Sequence, residues 1–504
     1  MSTGESLHKR SNETYKLHDE QYIIKHNSKD IVQYATFYWL RLQSLKPHVR
    51  ESAELKWEKD QHLTYVTNIL DIRPGQLTVI IGTIFKEMPL KPSILKNVLG
   101  VLGTQKFKHG LYVGEEDYAV LEDSSGRIRL KKGLKFNPDF FVSGSILGLK
   151  GVVDTNGFFE VHDHTYAGIP FSEPLPKSVN IRNQRDLYSP EALSDPKREF
   201  VALVSGLEFG KTTDVFSSEM LIRFFKGELG GPKNAKLASQ ISRVVICGNS
   251  IVQPEDTDQV LRGSYRVQNL NQRVYKTISD VLDTFELFLH NLSQLVDIDI
   301  MPGQDDFSSS FLPQQPLNSC LFPQLQDKQS INLVTNPHKF EMNGLQFLGC
   351  SGQNLNDIYS YTKGNLLANS TEQNYDALSG LQLTLEMRHV CPTAPDTLRA
   401  YPQLEEDPFI IDKAPHVYFA GNQAAYQEDV LLADNNQKHS NSSFIQGVKL
   451  ISVPTFSQTK SIVLLDLSTL QSYEVKFDLS EGVMPSNQMI ESPAKKASVD
   501  INME

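Results

Sequence analysis

Three short apolar runs in the middle of the chain, each ending in a glycine-bearing polar loop, restrict the fold more than any other feature. They are Val201-Ala-Leu-Val-Ser-Gly-Leu207, Val244-Val-Ile-Cys-Gly-Asn-Ser250, and the run at 296–301 that ends Ile300-Met-Pro-Gly-Gln-Asp-Asp306. Residues 217–227 lie between the first two and carry Met220, Leu221, Phe224 and Phe225 on one helical face, with Gly227 as a stop. Between the second and third, Val281, Leu282, Phe285, Phe288, Leu289 and Leu292 keep helical spacing. Strands alternating with helices in this order need crossover connections, so a mostly parallel sheet buried beneath helices is expected.

The flanking regions read differently. Downstream, Phe340 to Leu348 forms a hairpin about Asn343-Gly344, 446–453 and 461–466 are near-continuous apolar runs, and 471–478 alternates. These later strands read as antiparallel, and a layered sheet sandwich flanked by helices accommodates both halves. Upstream, Leu77 to Phe85 and Asp117 to Asp123 are strands, and Ser124-Ser-Gly126 turns the chain into Arg127-Ile-Arg-Leu130. Phe140 to Val153 is a glycine-punctuated curved strand, and Asn156-Gly157 turns into Phe158-Phe-Glu-Val161. Short, strongly bent strands in this number suggest an oligonucleotide-binding-type (OB-type) barrel. The expected layout is a disordered N-terminus at 1–29, a helical segment at 30–57 and the barrel at 58–170. An extended, proline-rich linker at 171–198, the α/β domain at 199–479 and a disordered polar tail at 480–504 complete it.

A chain of 504 residues exceeds one ordinary core, consistent with two or three domains. Hydrophobic content of 39% and charged content of 22% are those of a globular protein. No apolar stretch approaches the roughly 20 residues of a membrane span, and the polar start lacks the core of a secretory signal. The 49 basic residues against 60 acidic ones give a net charge of −11, which argues against a dominant grip on duplex nucleic acid and favours protein partners. Cys247, Cys320, Cys350 and Cys391 form no C-x-x-C pair and read as free thiols of a reducing compartment.

The strand-end loops resemble those of a two-metal phosphoesterase from which the ligands have been replaced. Ser205, Gly206 and Leu207 stand where a D-x-H pair belongs, and Gly248-Asn249 where a G-D would bridge the metals. Gly303-Gln304-Asp305-Asp306 replaces G-N-H-D/E, and Gly421-Asn422-Gln-Ala424 replaces G-H-x-H. Two metals about 3.5–4 Å apart need a shared carboxylate and several imidazoles to offset their charge. His389 is the one histidine that reads as a survivor of the set, although a lone histidine more often packs or hydrogen-bonds. Asp305 and Asp306 are two adjacent carboxylates that equally suit a helix cap or solvent. Together Ser205, Gly206, Gly248, Asn249, Gly303, Gln304, Asp305, Asp306, His389, Gly421 and Asn422 outline a candidate vestigial pocket, with no catalytic residue, metal or cofactor expected in it.

Other motifs carry less. His162-Asp163-His164 places two histidines on one strand face, but no further ligand is near in sequence. Arg127, Arg129, Lys131, Lys132 and Lys135, followed by Phe136, Phe140 and Phe141, are candidates for weak nucleic-acid contact; a half-exposed strand with a solvated basic face is the favoured explanation. Ser218 to Phe225 has the spacing of a sliding-clamp peptide, with Ser218 in place of its glutamine, and an amphipathic core helix explains the same residues.

The whole set resembles the B-subunit family of replicative DNA polymerases, and within it the small accessory subunits of polymerase delta. The segments that carry the resemblance include Leu203-Val-Ser-Gly-Leu207, Val245-Ile-Cys-Gly-Asn-Ser250, Leu312-Pro-Gln-Gln-Pro316 and Leu333-Val-Thr-Asn-Pro337. Ser351-Gly-Gln-Asn354, Pro392-Thr-Ala-Pro-Asp-Thr-Leu398, Asp407-Pro-Phe409 and Val120-Leu-Glu-Asp-Ser-Ser-Gly-Arg127 extend it over most of the chain. The resemblance implies an OB-type barrel joined to an inactivated calcineurin-like phosphodiesterase domain. It further implies a nuclear, non-catalytic scaffold in DNA replication and repair that docks on the cysteine-rich C-terminal domain of the polymerase catalytic subunit and carries a third subunit. Indirect association with the sliding clamp, and service to the translesion polymerase zeta in some organisms, follow from the same likeness. A divergent metal-dependent phosphoesterase using Asp305, Asp306 and His389, and a single-stranded nucleic-acid binding module using the barrel, are the alternatives.

Overall fold

Helix α1 (Tyr34–Lys56) opens the barrel region and lies across its strands, with Leu42, Leu45 and Val49 packed on Ile81 and Ile146. The computed structural model describes residues 14–24, 33–60, 62–92, 111–132, 136–181, 186–189, 193–195, 198–211, 215–252, 267–362, 376–402, 405–432, 447–478 and 482–485. The expected disorder at 1–13 and beyond 485, and Lys135, lie outside these residues. One strand, β1 (Tyr15–Leu17), precedes α1 and belongs to the second half of the fold.

The barrel consists of β2 (Thr64–Tyr65), β3 (Thr78–Glu87), β4 (Tyr118–Glu122), β5 (Arg127–Lys131), β6 (Ile146–Val153) and β7 (Phe159–Thr165), in the order β2-β3-β4-β5-β7-β6. An additional β3–β6 pairing closes it. Closure brings backbones together where only glycine fits: a Cβ on Gly151 would be 2.1 Å from the Glu160 carbonyl oxygen. A bulge between Lys150 and Gly151 leaves His162 as the extra residue of β7, so the strict alternation expected for His162 and His164 is broken. His164 packs against Phe141 and Tyr166, and Asp163 binds the Lys56 ammonium and the Trp57 indole N–H.

The second half is two stacked sheets between helices. Strand β8 (Phe200–Val204), α2 (Val215–Lys226), α3 (Gly231–Ser239), β9 (Ile241–Cys247), α4 (Val267–Ser293) and β10 (Asp297–Met301) follow in turn. Then come β11 (Ile331–Leu333), β12 (His338–Met342), β13 (Leu345–Cys350), α5 (Gln353–Ser360), α6 (Ala377–Glu386) and β14 (Val417–Gln423). The last elements are β15 (Gln427–Leu432), β16 (Gly447–Pro454), α7 (Phe456–Thr459), β17 (Ser461–Asp466), β18 (Ser472–Asp478) and β19 (Gly482–Pro485). One sheet has the order β11-β10-β9-β8-β17-β18-β19, the other β1-β12-β13-β14-β16-β15. Val201, Leu203, Val245 and Met301 of the first sheet meet Phe340, Phe347, Phe419 and Ile451 of the second in a shared core. On the outer face of the first sheet, Leu221, Phe224 and Phe225 of α2 and Phe285, Phe288 and Leu289 of α4 are buried, so the clamp-peptide spacing is core packing.

Three expectations change. β13, β14 and β16 run parallel to one another, not antiparallel. Their largely apolar composition is the mark of strands covered on both faces, which α6 and the facing sheet provide. Residues 171–198 are no free linker in their described parts, because Leu175, Val179 and Ile181 pack on the inter-sheet core and Leu187 and Leu193 enter the outer one. Buried Arg198 pairs with Asp466 at 2.6 Å and fastens that segment to β17. At the C-terminus β19 extends the sheet into the segment expected to be disordered.

The N-terminal segment departs from expectation most. Residues 14–24 are built into the sandwich: β1 pairs antiparallel with β12, and Tyr22 is 1% exposed. Buried Asp19 accepts from His338 Nδ1 at 2.9 Å and from the Lys339 N–H at 2.6 Å, while His338 Nε2 faces Asp299 at 3.9 Å. Burial alone would lower the His338 pKa, but attraction to and hydrogen bonding with Asp19, together with the nearby Asp299 carboxylate, outweigh it and lift it to about 9. The imidazolium therefore stabilises the fold fully below its ordinary 6.5, and this contribution is lost as pH rises through about 9. A urea series should show a stability decline across that window in the wild type, and a flatter profile in His338→Gln.

Arg41 joins α1, the barrel and the sandwich. Its guanidinium donates to Asp407 Oδ2 at 2.8 Å and to the carbonyls of Gly144, Pro392 and Ala394 at 3.1, 2.8 and 2.7 Å. Gly144 has φ +85°, and a Cβ there would be 2.1 Å from the Pro392 carbonyl oxygen. Arg41→Ala takes the neutralising charge from a buried carboxylate and the guanidinium donor from three carbonyls, and should lower stability by about 3–5 kcal/mol. Denaturant unfolding followed separately in barrel and sandwich should show the barrel losing cooperativity with its neighbour.

Candidate functional site at the strand ends

The loops that follow β8, β9, β10 and β14 converge at the carboxyl ends of parallel strands, where open α/β sheets form their crevices. Glycine makes the convergence sterically feasible. A Cβ on Gly303 would be 2.2 Å from Asn249 Oδ1, one on Gly248 2.9 Å from Gly303 Cα, and one on Gly421 2.3 Å from the Cys247 carbonyl oxygen. Gly206, at φ +63°, sits against Asn422 and Thr455 in the same way. Asn249 and Asn422 adopt left-handed backbone at φ 54° and 55°, a region that asparagine tolerates better than most residues.

The polar side chains are used on one another. Asn249 Nδ2 donates to Asp305 Oδ2 at 3.2 Å, and the Asp305 N–H donates back to Asn249 Oδ1 at 3.1 Å. Ser205 Oγ accepts from the Asn422 N–H at 2.9 Å, and Asn422 Nδ2 donates to the Ser351 and Cys247 carbonyls. Buried Asp306 accepts from the Gly303 N–H at 2.7 Å and the Ile251 N–H at 2.8 Å, lacing the β9 and β10 loops. Burial pushes its carboxyl up to about 6, against the pull of those backbone donors. Gln304 is exposed at the rim. Among the described residues no group of three or more His, Cys, Asp or Glu side chains is arranged to hold a metal ion. A cleft of about 220 Å³ lined by Leu207, Phe209, Ser217, Phe456 and Lys460 adjoins the β8 loop, but the interlocked residues do not line it.

His389 is not part of this cluster, contrary to the sequence reading. Its Nε2 bonds Asp407 at 2.8 Å and its Nδ1 accepts from the Cys391 N–H, placing it in the Arg41 junction. Burial and the Arg41 charge hold its pKa down to about 4, despite Asp407, so the ring is neutral there. Three residues absent from the sequence-derived set do belong. Asn336 Nδ2 donates to Ser351 Oγ and Gln314 Oε1, and Gln314 Nε2 donates to the Gly303 carbonyl. All three lie in segments that carry the family resemblance, a signal of position that propensity does not supply.

On the barrel, three of the described basic residues lie beside carboxylates. Arg127 meets Glu122 at 3.1 Å, Lys131 meets Glu160 at 2.8 Å, and Lys132 approaches Asp139 at 4.0 Å. The Arg129 guanidinium lies 3.9 Å from the Tyr118 ring centroid and 5.7 Å from that of Phe158. This is a charge-balanced face.

Comparison with known proteins agrees with both halves. The family of DNA polymerase delta OB-fold domains matches residues 33–164, and the family of B subunits of DNA polymerases alpha and epsilon matches residues 201–428. The DNA polymerase delta small subunit of Arabidopsis thaliana is 32% identical over 94% of this chain and 98% of its own length. That of Oryza sativa is 31% identical over 94% and 99%, and that of Saccharomyces cerevisiae 31% over 89% and 90%. The architecture is thus that of a polymerase B-subunit, an OB-fold domain followed by a mixed α/β body. Within that class, the chain belongs to the DNA polymerase delta small-subunit family, accessory subunits of a replicative DNA polymerase.

Asp306→Ala leaves two buried N–H donors unpaired and should destabilise the chain by about 1–3 kcal/mol in denaturant titration. Because the folded carboxyl titrates above its ordinary 3.8, its charged form is disfavoured, and stability should fall as pH rises from 3.8 through about 6. Asp306→Asn should remove that slope.

Proposed function

We propose that this chain is a non-catalytic scaffold that holds the polymerase catalytic subunit, through its cysteine-rich C-terminal domain, against a third subunit in nuclear DNA replication and repair. Its α/β body is read as a calcineurin-like phosphodiesterase fold without a working metal centre, with Ser205, Gly206, Gly248, Asn249, Gly303, Gln304, Asp305, Asp306, Gly421 and Asn422, but not His389, forming a vestigial pocket. The observation that carries this reading is the interlock of the strand-end loops. Asp305 is bonded to Asn249, and Asp306 is turned onto backbone donors. Glycines at 206, 248, 303 and 421 bring backbone into the space between the loops. A dinuclear hydrolase needs carboxylates and imidazoles facing a common void there.

Two other features support a structural role. The barrel and body are joined through a buried arginine and a closely packed glycine, so two recognition surfaces are held in fixed relation. Among the described barrel cations, Arg127, Lys131 and Lys132 lie beside carboxylates, which favours protein contact over a phosphate backbone. Sliding-clamp association is then indirect, through the other subunits, and sharing with the translesion polymerase zeta belongs to the same proposal.

Co-expression with the polymerase delta catalytic subunit should yield a stoichiometric complex that survives gel filtration. A chain that remains monomeric beside that subunit would sink the scaffold reading. Metal analysis after incubation with manganese, with an aryl phosphate as substrate, should show neither stoichiometric metal nor turnover. Bound metal with turnover abolished by Asp305→Ala would overturn the vestigial-pocket reading.

A further inference from the structure

Asparagine followed by glycine occurs twice in this chain, at Asn156-Gly157 and Asn343-Gly344, and the fold treats the two pairs differently. Such a pair is open to attack on its own side chain, because glycine sets no Cβ beside the attacking nitrogen and restricts φ and ψ least. Whether the attack occurs depends on how firmly the surrounding structure holds the two residues.

Asn343-Gly344 joins β12 to β13 and is fastened by its neighbours. The Asn343 side-chain amide donates to Glu199 Oε2 at 2.7 Å, and its backbone N–H donates to the Thr14 carbonyl at 3.1 Å. A Cβ on Gly344 would be 3.1 Å from Pro176 Cγ, so another part of the chain lies against this turn.

Asn156-Gly157 joins β6 to β7 and stands in the open. Both residues are exposed, and a Cβ on Gly157 would meet nothing within 4 Å. The Gly157 N–H donates to the Asp154 carbonyl at 3.1 Å, and Asp154 Oδ1 accepts from the Asn156 and Phe158 N–H groups, each at 2.9 Å. These bonds hold the backbone only. Among the described residues, no hydrogen bond restrains the Asn156 side-chain amide.

We infer that Asn156 is a site of spontaneous deamidation through attack by the Gly157 nitrogen, and that the fold protects Asn343 from the same reaction. The Gly157 amide yields its proton to hydroxide, and its nitrogen bonds to Asn156 Cγ. The Cγ–Nδ2 bond then breaks, and Nδ2 leaves as ammonia with a proton taken from water. Water opens the resulting cyclic imide at either carbonyl. Breaking the new N–Cγ bond leaves aspartate, whereas breaking the original peptide bond leaves isoaspartate, with the main chain rerouted through Cβ and Cγ. The sum is amide plus water giving carboxylic acid plus ammonia, with no oxidant or reductant.

Either product adds a carboxylate to a turn whose Asp154, together with Glu160, already neighbours Lys131 at 3.8 and 2.8 Å. This edge of the barrel thereby moves towards negative charge. Isoaspartate also inserts a carbon into the main chain, between the two N–H groups that Asp154 Oδ1 joins. The chemistry is independent of the scaffold reading, so either can fail alone.

The test ages the full-length chain in mildly alkaline buffer and follows the amide-to-acid mass change by peptide mapping. Acid should accumulate at 156 at least about tenfold faster than at 343, the protection expected from a hydrogen bond to a charged acceptor. In urea, where neither turn persists, the two rates should converge. Both aspartate and isoaspartate should appear at 156, and Asn156→Gln should remove the signal from that peptide. Equal rates in the folded chain, or a difference that survives in urea, would overturn the assignment of selectivity to the fold. Aspartate without isoaspartate would rule out attack by Gly157.

Discussion

The Arg41 guanidinium organises this molecule more than any other group. Four hydrogen bonds from its rigid planar fork reach one carboxylate and three carbonyls from two different regions of chain, at complete burial. Removing an ion pair from water is expensive, and only geometry that satisfies every donor makes it tolerable. That requirement fixes where the barrel's Gly144 turn must be relative to the loop at 392–394, and Asp407 is held in turn by His389 and the Phe409 N–H. The barrel–sandwich arrangement is therefore set by a polar network at the junction, with apolar contacts around it. Lys86, fully buried and pushed down to about 8 by desolvation, donates to the Tyr361 carbonyl at a second point of the same interface.

A similar inward turn of polarity governs the strand-end loops. Parallel sheets collect their functional groups at carboxyl ends because helices cover the faces and the loops there are the free surface. Here most of those groups bond one another or the adjacent loop backbones. Asn249 and Asp305 exchange two hydrogen bonds, Ser205 and Asn422 close a second contact, and Asn336, Gln314 and Ser351 extend the network behind them. Such a network rigidifies the end of the sandwich.

Much of this was legible along the chain. Apolar runs at β8, β9 and β10 with helical spacing between them announced a parallel sheet, and the glycine-turned strands upstream announced a barrel. The hairpin at Asn343-Gly344 was written in two residues whose positive φ values, 52° and 81°, the turn demands. The direction of β13, β14 and β16 was not legible, because an apolar run records burial on both faces and carries no sign of orientation. His389 was misassigned because a lone histidine has no sequence neighbour to reveal its partner, and Asp407 and Arg41 reach it only through the fold. The polar composition of residues 14–24 concealed their docking, since three anchoring side chains among exposed ones leave almost no periodic trace.

By itself, then, the order of residues determined which strongly patterned segments become strands and helices, and which family the chain resembles. These are local or ordered properties, readable wherever burial imposes a period of two or 3.6. Tertiary structure alone decided which buried charges meet: Arg41 with Asp407 across 366 positions, and Asp19 with His338 across 319. Pairings at that separation are chosen by desolvation, because an ion buried in a closing core is stable only beside a partner that packing happens to deliver.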